Sequence, residues 1–258
     1  MEKLLVPVYM PGWLIRSLVK VKRMIVPPAQ PDSEITIWGE RNVEWSFLCR
    51  EMPYGPGKAI EFGCEEGYMS LTAAQKGFDV VANDIQGQKF AWQHPLVTFQ
   101  KGDFRKLTFP SNHFDLAINC SSVEHVGVAG RYGIESNEED GDIEVMNQFA
   151  QILKPEGLLL MTAPCGRDNV LAPWCRVYGC KRLPRLMRPF TVEKEEYWIK
   201  NVENQWVQSS RESALNVQPR HNPSDPHQCA YALGCFVLRK IPQSFVTGEV
   251  KKSGASQC

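Results

Sequence analysis

The sequence predicts an α/β fold in which a mostly parallel sheet carries helices on both faces. Residues 58–62 form a short apolar run flanked by glycines, which is typical of a buried strand. Residues 68–76 carry apolar side chains at helical spacing, and residues 79–84 form a second apolar run that ends in a carboxylate. A strand, a glycine turn, a helix and a second strand, in this order, are the building unit of a parallel α/β sheet.

The turn between the first strand and the helix is bracketed by Gly63 and Gly67. Such a turn presents backbone N–H groups and a helix N-terminus to a ligand, and glycine is needed where a Cβ would block that approach. Asp84 ends the second strand, where its carboxylate faces the ligand crevice and can accept two hydrogen bonds from ribose hydroxyls. This arrangement predicts a site for an adenosine-type cofactor and leaves open whether it is NAD or S-adenosylmethionine.

Residues 61–67 (Glu-Phe-Gly-Cys-Glu-Glu-Gly) resemble the first motif of class I S-adenosylmethionine-dependent methyltransferases, an acid followed by spaced glycines. The dinucleotide fingerprint G-x-G-x-x-G fits this stretch poorly. The stretch departs from the methyltransferase motif at Glu65, where the family has its middle glycine. Asp84 matches the family's ribose-binding acid, and later segments match in the same order at residues 102–104, 115–119 and 153–161. The resemblance covers residues 40 to 240.

The resemblance implies a Rossmann-like mixed seven-stranded sheet, mostly parallel, with S-adenosylmethionine as the cofactor. It places this cofactor against the glycine motif, the second-strand tip and the segments after the third and fourth strands. The implied residues are Glu61, Gly63, Cys64, Glu65, Gly67, Asp84, Ile85, Asp103, Phe104 and Asn119. Arg41 is a further candidate, because a guanidinium binds a carboxylate of the cofactor or substrate through two hydrogen bonds. The alternative for Arg41 is a solvated ion pair with a glutamate on its own helix.

The composition indicates which classes of binding partner and which cellular compartment to expect. Lys plus Arg equals Asp plus Glu at 29 each, whereas a dedicated nucleic-acid binder would carry a basic excess, so no nucleic acid is expected. The nine cysteines include no C-x-x-C pair and complete no zinc-site spacing, which predicts no metal and favours a reduced, cytoplasmic setting. No apolar run approaches the ~20 residues that span a bilayer.

The chain is predicted to have three parts. Residues 1–30 mix apolar and basic side chains and end at two prolines, so they form a basic amphipathic segment. This segment either packs on its own domain or contacts a membrane surface or an acidic partner. Residues 31–242 form the methyltransferase domain, with an insertion at 166–189, and residues 243–258 lack a hydrophobic pattern and form a flexible tail.

The segment after the fourth strand, residues 119–127, is where the resemblance places acceptor chemistry. His125 is the predicted general base, because a near-neutral imidazole can take the proton of a hydroxyl nucleophile and contribute ~10²–10⁴-fold. Glu124 is predicted to orient it. The alternative is a histidine that only hydrogen-bonds the backbone at a helix start.

Two later segments carry candidate substrate contacts. Residues 127–142 form a long polar loop beside the predicted active site, in which Arg131 and Tyr132 are expected to contact the substrate. The insertion contributes Trp174 and Tyr178, whose aromatic rings suit an acceptor pocket. Packing of a short helix explains these aromatic residues equally well.

The predicted function is methylation of a small molecule at oxygen, on a hydroxyl of a sugar or natural product. It is based on His125 and on the absence of the Asn/Asp-Pro-Pro-aromatic motif after the fourth strand. N- or C-methylation of a small molecule is the first alternative. A non-catalytic cofactor-binding or membrane-surface protein is the second, motivated by Glu65 and the basic N-terminus. A nicotinamide-dependent oxidoreductase is the third.

Overall fold

A computed structural model describes residues 36–130, 132–222 and 225–241 of the chain. The predicted segments 1–30 and 243–258, and the candidate Arg131, lie outside the described residues. The strands, in chain order, are β1 (Thr36–Ile37), β2 (Gly57–Phe62), β3 (Phe78–Asp84), β4 (Val97–Lys101), β5 (Phe114–Cys120), β6 (Leu153–Cys165), β7 (Asn169–Leu171), β8 (Cys175–Val177), β9 (Phe190–Lys200), β10 (Trp206–Ser209), β11 (Arg220–Asn222), β12 (Asp225–Ala230) and β13 (Ala232–Lys240). The helices are α1 (Glu40–Glu51), α2 (Tyr68–Gln75), α3 (Gly141–Ile152), α4 (Arg182–Leu186) and α5 (Arg211–Leu215), with 3-10 turns at Phe104–Lys106 and Val123–His125.

The main sheet has the strand order β1-β10-β9-β13-β6-β5-β2-β3-β4. Strands β6, β5, β2, β3 and β4 are parallel, and β13 lies antiparallel between β6 and β9. The predicted α/β class is confirmed, but the predicted number of seven strands is wrong, because β10 and β1 extend one edge to nine. The extension arises where Asn201 closes a tight turn by accepting the N–H of Glu203 and of Gln205, which returns the chain along β9.

Helices cover both faces of this sheet, as predicted. On one face α1 and α2 bury residues such as Phe47 and Met69, and on the other α3 buries residues such as Phe149. Strand β5 contributes to both layers. Ile118 packs on the face that α1 and α2 cover, and its neighbour Ala117 packs on the face that α3 covers. The apolar runs that the sequence shows as buried strands are therefore covered from both sides.

The carboxyl ends of the five parallel strands meet at one edge of the sheet. In open α/β sheets this edge carries the ligand crevice. The insertion 166–189 consists of the β7–β8 hairpin and α4, and the Cys165–Tyr178 bridge joins it to the end of β6. Within the described part of the chain, no helix is both long and apolar enough to cross a bilayer.

Candidate functional site

A cavity of about 420 Å³ opens at the carboxyl edge of the parallel strands. This main cavity brings together nine of the predicted site residues: Arg41, Gly63, Glu65, Asp84, Ile85, Asp103, Phe104, His125 and Tyr132. A smaller cavity of about 50 Å³ shares Arg41, Gly63 and Glu65 with it and adds the predicted Glu61, Cys64 and Gly67. Asn119, Glu124, Trp174 and Tyr178 line neither of these two cavities.

The glycine turn needs its two glycines for steric reasons. Gly63 and Gly67 have φ angles of 67° and 71°, in the left-handed region. A Cβ on Gly63 would lie 2.4 Å from the Ser122 hydroxyl, and a Cβ on Gly67 would lie 2.4 Å from the Phe90 ring. The turn can therefore pack against Ser122 and Phe90 only because these positions carry no side chain.

Glu65 adopts a left-handed backbone as well, with φ of 46°. This is the position at which the methyltransferase motif has glycine, and a left-handed conformation costs a residue with a Cβ roughly 1–2 kcal/mol. The backbone of the turn therefore keeps the left-handed conformation that glycine would adopt at this position. The Glu65 side chain adds an exposed carboxylate to the lining of both cavities.

Asp84 is held at the tip of β3 by the turns around it. One carboxylate oxygen accepts the N–H of Glu65 at 3.0 Å, and the other accepts the N–H of Gln86 at 2.8 Å. A carboxylate offers about four lone-pair sites, so each oxygen can still accept a further hydrogen bond. Asp84 can therefore bind a vicinal diol from its position on the cavity wall.

Glu61 is buried beneath the glycine turn, where it accepts hydrogen bonds from the backbone N–H of Ser70, at 2.7 Å, and from the Ser70 hydroxyl. Burial raises the pKa of Glu61 from 4.5 to about 7, against the hydrogen bonds from Ser70. The carboxyl therefore connects the end of β2 to the first turn of α2.

The raised pKa of Glu61 predicts that stability falls as pH rises from 4.5 to about 7. The folded protein keeps the Glu61 proton in this window whereas the unfolded chain has released it, so deprotonation favours unfolding. We expect Glu61→Gln to remove a fall on the order of 3 kcal/mol, at about 1.4 kcal/mol per pKa unit. Urea unfolding of both proteins across the window measures this, and equal slopes would contradict it.

Asp103 lies in the main cavity but is already paired. Arg105 donates to both of its carboxylate oxygens, at 3.2 Å and 3.0 Å. Partial burial acts in the opposite direction, yet the hydrogen bonds from Arg105 lower the pKa of Asp103. Arg105 also pairs with Glu138 and so joins the end of β4 to the loop 127–138. Sequence reasoning missed Arg105, although its position two residues after a predicted site residue was a signal.

Asn119 is a structural residue at the end of β5. Its amide donates to the Thr162 carbonyl at 3.2 Å and accepts the N–H of Val123 at 3.0 Å. The side chain is fully buried between β5, β6 and the following 3-10 turn. The implied contact between Asn119 and a cofactor therefore has no support from the geometry.

His125 lies on the cavity wall, and the insertion sets its tautomer. Its Nδ1 is 2.6 Å from the Trp174 carbonyl oxygen, which can only accept, so Nδ1 carries the proton and Nε2 carries the lone pair. The Glu124 carboxylate is 3.9 Å from Nε2, too far for a hydrogen bond, and burial raises its pKa well above the usual range. The prediction that Glu124 orients His125 is therefore corrected, because the Trp174 backbone performs that role.

The loop 127–138 supplies the outer wall of the cavity. Hydrogen bonds join the two ends of this loop. The Glu138 N–H donates to the Gly127 carbonyl at 2.8 Å, and Arg176 donates to the carbonyls of both residues. The Tyr132 ring lies 6.3 Å from the His125 ring, centroid to centroid. The predicted substrate residue Tyr132 is thus brought beside the predicted base.

Trp174 and Tyr178 lie elsewhere. Tyr178 is fully buried in the core against α3 and α4, and Trp174 packs beside Leu171 and Val177 of the β7–β8 hairpin. Their predicted role as acceptor contacts is not supported, because neither side chain reaches the two cavities. The alternative of structural packing describes them better. Within the described ranges, no three His, Cys, Asp or Glu side chains are arranged to hold a metal ion.

The family described as "Caenorhabditis protein of unknown function, DUF268" matches residues 58–241. The chain belongs to the DUF268 family. Among curated proteins, YqeM of Bacillus subtilis (strain 168), which carries a provisional name as a methyltransferase, is 28% identical over 112 residues. That alignment covers 40% of this chain and 41% of YqeM, so the chain spans about two fifths of the length of this relative.

Solved structures share the fold of this DUF268 chain at low identity. The N-methyltransferase NodS from Bradyrhizobium japonicum WM9, in complex with S-adenosyl-L-homocysteine, is 14% identical over 78% of this chain and 87% of NodS, with a TM-score of 0.51. The cyclase SpnF is 14% identical over 89% of this chain and 95% of SpnF, also with a TM-score of 0.51. The chain has the class I S-adenosylmethionine-dependent methyltransferase fold.

The DUF268 match begins at Lys58, so α1 lies before the matched segment. This helix carries Glu44, a fully buried carboxylate that sequence reasoning passed over. Glu44 accepts hydrogen bonds from the Ser121 hydroxyl, from Thr162 at 2.8 Å and from Arg41 at 2.9 Å. The Arg41–Glu44 pair is therefore not a solvated surface pair, because Glu44 anchors α1 to the carboxyl ends of β5 and β6.

Proposed function

We propose that this DUF268 protein is an S-adenosylmethionine-dependent methyltransferase that transfers a methyl group to a hydroxyl oxygen of a small molecule, a sugar or a natural product. The observation that carries the proposal is the main cavity, which the glycine turn, the fixed carboxylate of Asp84 and the imidazole of His125 all line. The YqeM relative and the fold shared with NodS support the methyltransferase part of this proposal, whereas the choice of oxygen rests on His125.

The residues of the cavity fit this cofactor. Gly63, Glu65 and Gly67 place the glycine turn along the two cavities, and Asp84 can accept the ribose hydroxyls. Ile85 and Phe104 offer apolar surface for an adenine ring, and Arg41 offers a cation for a carboxylate. When bound, S-adenosylmethionine supplies a methyl group that its positive sulfur activates, so the protein has to position the acceptor and exclude water.

His125 carries the proposed acid–base chemistry. A hydroxyl acceptor has to lose its proton as it attacks, and Nε2 is the ring nitrogen with the lone pair once Nδ1–H donates to the Trp174 carbonyl. Tyr132 and the apolar side chains of Val126, Ile134 and Val145 line the same cavity, which suits an acceptor with a polar group on an apolar body.

Replacement of His125 by alanine is expected to reduce turnover by ~10²–10⁴-fold, the usual contribution of a general base. The affinity for S-adenosylhomocysteine should stay within about two-fold of wild type, because the ring does not hold the cofactor. Single-turnover kinetics and calorimetry give the two quantities. His113→Ala, at the opposite end of β5, is the control. Unchanged turnover in His125→Ala would show that the base role is wrong.

Calorimetric titration tests the cofactor assignment directly. Binding of S-adenosylhomocysteine supports the proposal, whereas binding of NADH alone would favour the nicotinamide-dependent oxidoreductase instead. Incubation of metabolite extracts with methyl-labelled S-adenosylmethionine then identifies the acceptor, and the chemical shift of the labelled carbon separates O- from N- and C-methylation. Absence of any labelled product from a protein that binds the cofactor would favour the non-catalytic alternative.

The cellular setting and the membrane contact of residues 1–30 stay predictions. The cytoplasmic prediction assumed reduced cysteines, yet Cys180 is disulfide-bonded in the structure. Disulfides persist in oxidising compartments and are rare in the cytosol. Liposome co-sedimentation of the full chain, compared with a chain that lacks residues 1–30, tests the membrane contact.

A further inference from the structure

Glu65 differs from an ordinary surface glutamate in its backbone conformation, its location and the contacts of its carboxylate. It occupies the position at which the methyltransferase motif has glycine, and it keeps the left-handed backbone that glycine would adopt, with φ of 46°. Its side chain lines both the main and the smaller cavity. Among the described residues, its carboxylate has no hydrogen-bond or ion-pair partner. Residues with strained backbones cluster at binding sites, so the Glu65 side chain is a candidate ligand contact.

Arg41 lines the same two cavities from α1. One guanidinium nitrogen, Nη1, is held by Glu44 at 2.9 Å and lies 3.5 Å from the Cys120 carbonyl oxygen. A guanidinium has five N–H donors, and 47% of this side chain is exposed, so further donors can reach a ligand. Arg41 and Glu65 carry opposite charges on the walls of one small space, yet they form no ion pair with each other.

A separated cation and anion suit a ligand that carries both charges. We infer that Arg41 and Glu65 bind an α-amino-acid group in the smaller cavity, with the carboxylate on Arg41 and the ammonium on Glu65. Under the proposed function, on which this inference rests, that group is the amino-acid end of the cofactor. Charge-assisted hydrogen bonds of this kind are about twice as strong as neutral ones. The Glu65 carboxylate thus has a binding role that the glycine of the motif cannot have.

Calorimetry with two ligands isolates this role. S-adenosylhomocysteine carries both charges, and 5′-methylthioadenosine carries the same nucleoside without the amino-acid group. Glu65→Gln is expected to weaken S-adenosylhomocysteine binding by about 10-fold or more, as for a hydrogen bond to a charged group. Binding of 5′-methylthioadenosine should change by less than about two-fold, because this ligand has no ammonium.

Glu203→Gln is the matched control, because Glu203 also carries an exposed carboxylate and lines neither cavity. We expect Glu203→Gln to leave both affinities unchanged. Glu66→Gln tests the other exposed carboxylate of the smaller cavity, and we expect its effect to be smaller than that of Glu65→Gln. Glu65→Gly separates the side chain from the backbone: it should raise the melting temperature by relieving the left-handed strain and still weaken S-adenosylhomocysteine binding.

The outcomes distinguish this inference from the proposed function. If wild type binds S-adenosylhomocysteine and Glu65→Gln weakens both ligands equally, or neither, the ammonium contact is wrong while the cofactor assignment stands. If Glu66→Gln has the larger effect, the assignment to Glu65 is wrong. If wild type binds neither ligand, the proposed function itself fails.

Discussion

Replacement of Asp84 by alanine is expected to weaken S-adenosylhomocysteine binding by more than about 100-fold. Two hydrogen bonds to a charged group are worth about 1.5–3 kcal/mol each, and every 1.4 kcal/mol is about ten-fold in affinity. The substitution also removes the acceptor for the N–H groups of Glu65 and Gln86, so the glycine turn loses a support from β3. Isothermal titration calorimetry measures the loss.

Asp79→Ala is the matched control for Asp84→Ala. Asp79 lies near the amino end of the same strand, is exposed, and lines neither cavity. We expect Asp79→Ala to bind S-adenosylhomocysteine as wild type does. Binding by Asp84→Ala within ten-fold of wild type, in a protein with an unchanged circular dichroism spectrum, would mean that the ribose does not lie against this carboxylate.

Replacement of Glu44 by alanine is expected to lower the free energy of unfolding by about 2–5 kcal/mol, because each buried donor that loses its partner costs about 1–3 kcal/mol. Glu44 is fully buried, and its loss leaves the hydroxyls of Ser121 and Thr162 without their shared acceptor. Arg41 also loses its partner, but water can solvate its half-exposed guanidinium. Urea denaturation followed by circular dichroism gives this free energy. The main cavity should change with it, because Arg41 and Ser121 both line that cavity.

Glu193→Ala provides the comparison for Glu44→Ala. Glu193 pairs with Arg239 at a solvent-exposed position on β9. Exposed ion pairs contribute about 0–1 kcal/mol, so this variant should be nearly as stable as wild type. A loss of less than about 1 kcal/mol in Glu44→Ala would contradict the view that the buried carboxylate anchors α1 to the sheet.

Short stretches of sequence are enough to predict β2, α2, β3 and the glycine turn between β2 and α2. Residues 58–62, 68–76 and 79–84 were predicted as strand, helix and strand, and the observed β2, α2 and β3 differ from these ranges by one residue at an end. Contiguous apolar runs define each of these elements, and the glycines between them are required by close contacts with the Ser122 and Phe90 side chains. Local conformation and burial are encoded within a few residues, so pattern was sufficient there.

The acceptor side was read less well, because its polar partners are distant in sequence. Glu44 contacts Ser121 across 77 residues and Thr162 across 118, and the carbonyl that sets the His125 tautomer belongs to Trp174, 49 residues away. Glu124 is adjacent to His125 in sequence, yet its carboxylate is buried and lies 3.9 Å from Nε2.

Periodicity and glycine spacing were thus enough to derive the parallel sheet, the glycine turn and the carboxylate at Asp84, because each depends on neighbours along the chain. Only the folded structure shows three further features. Arg41 pairs with the buried Glu44, His125 carries its proton on Nδ1, and Tyr178 packs in the core. Each of these depends on which strand ends and loops meet in space. A linear pattern records how polar a residue is, whereas the packing of distant segments selects its partner.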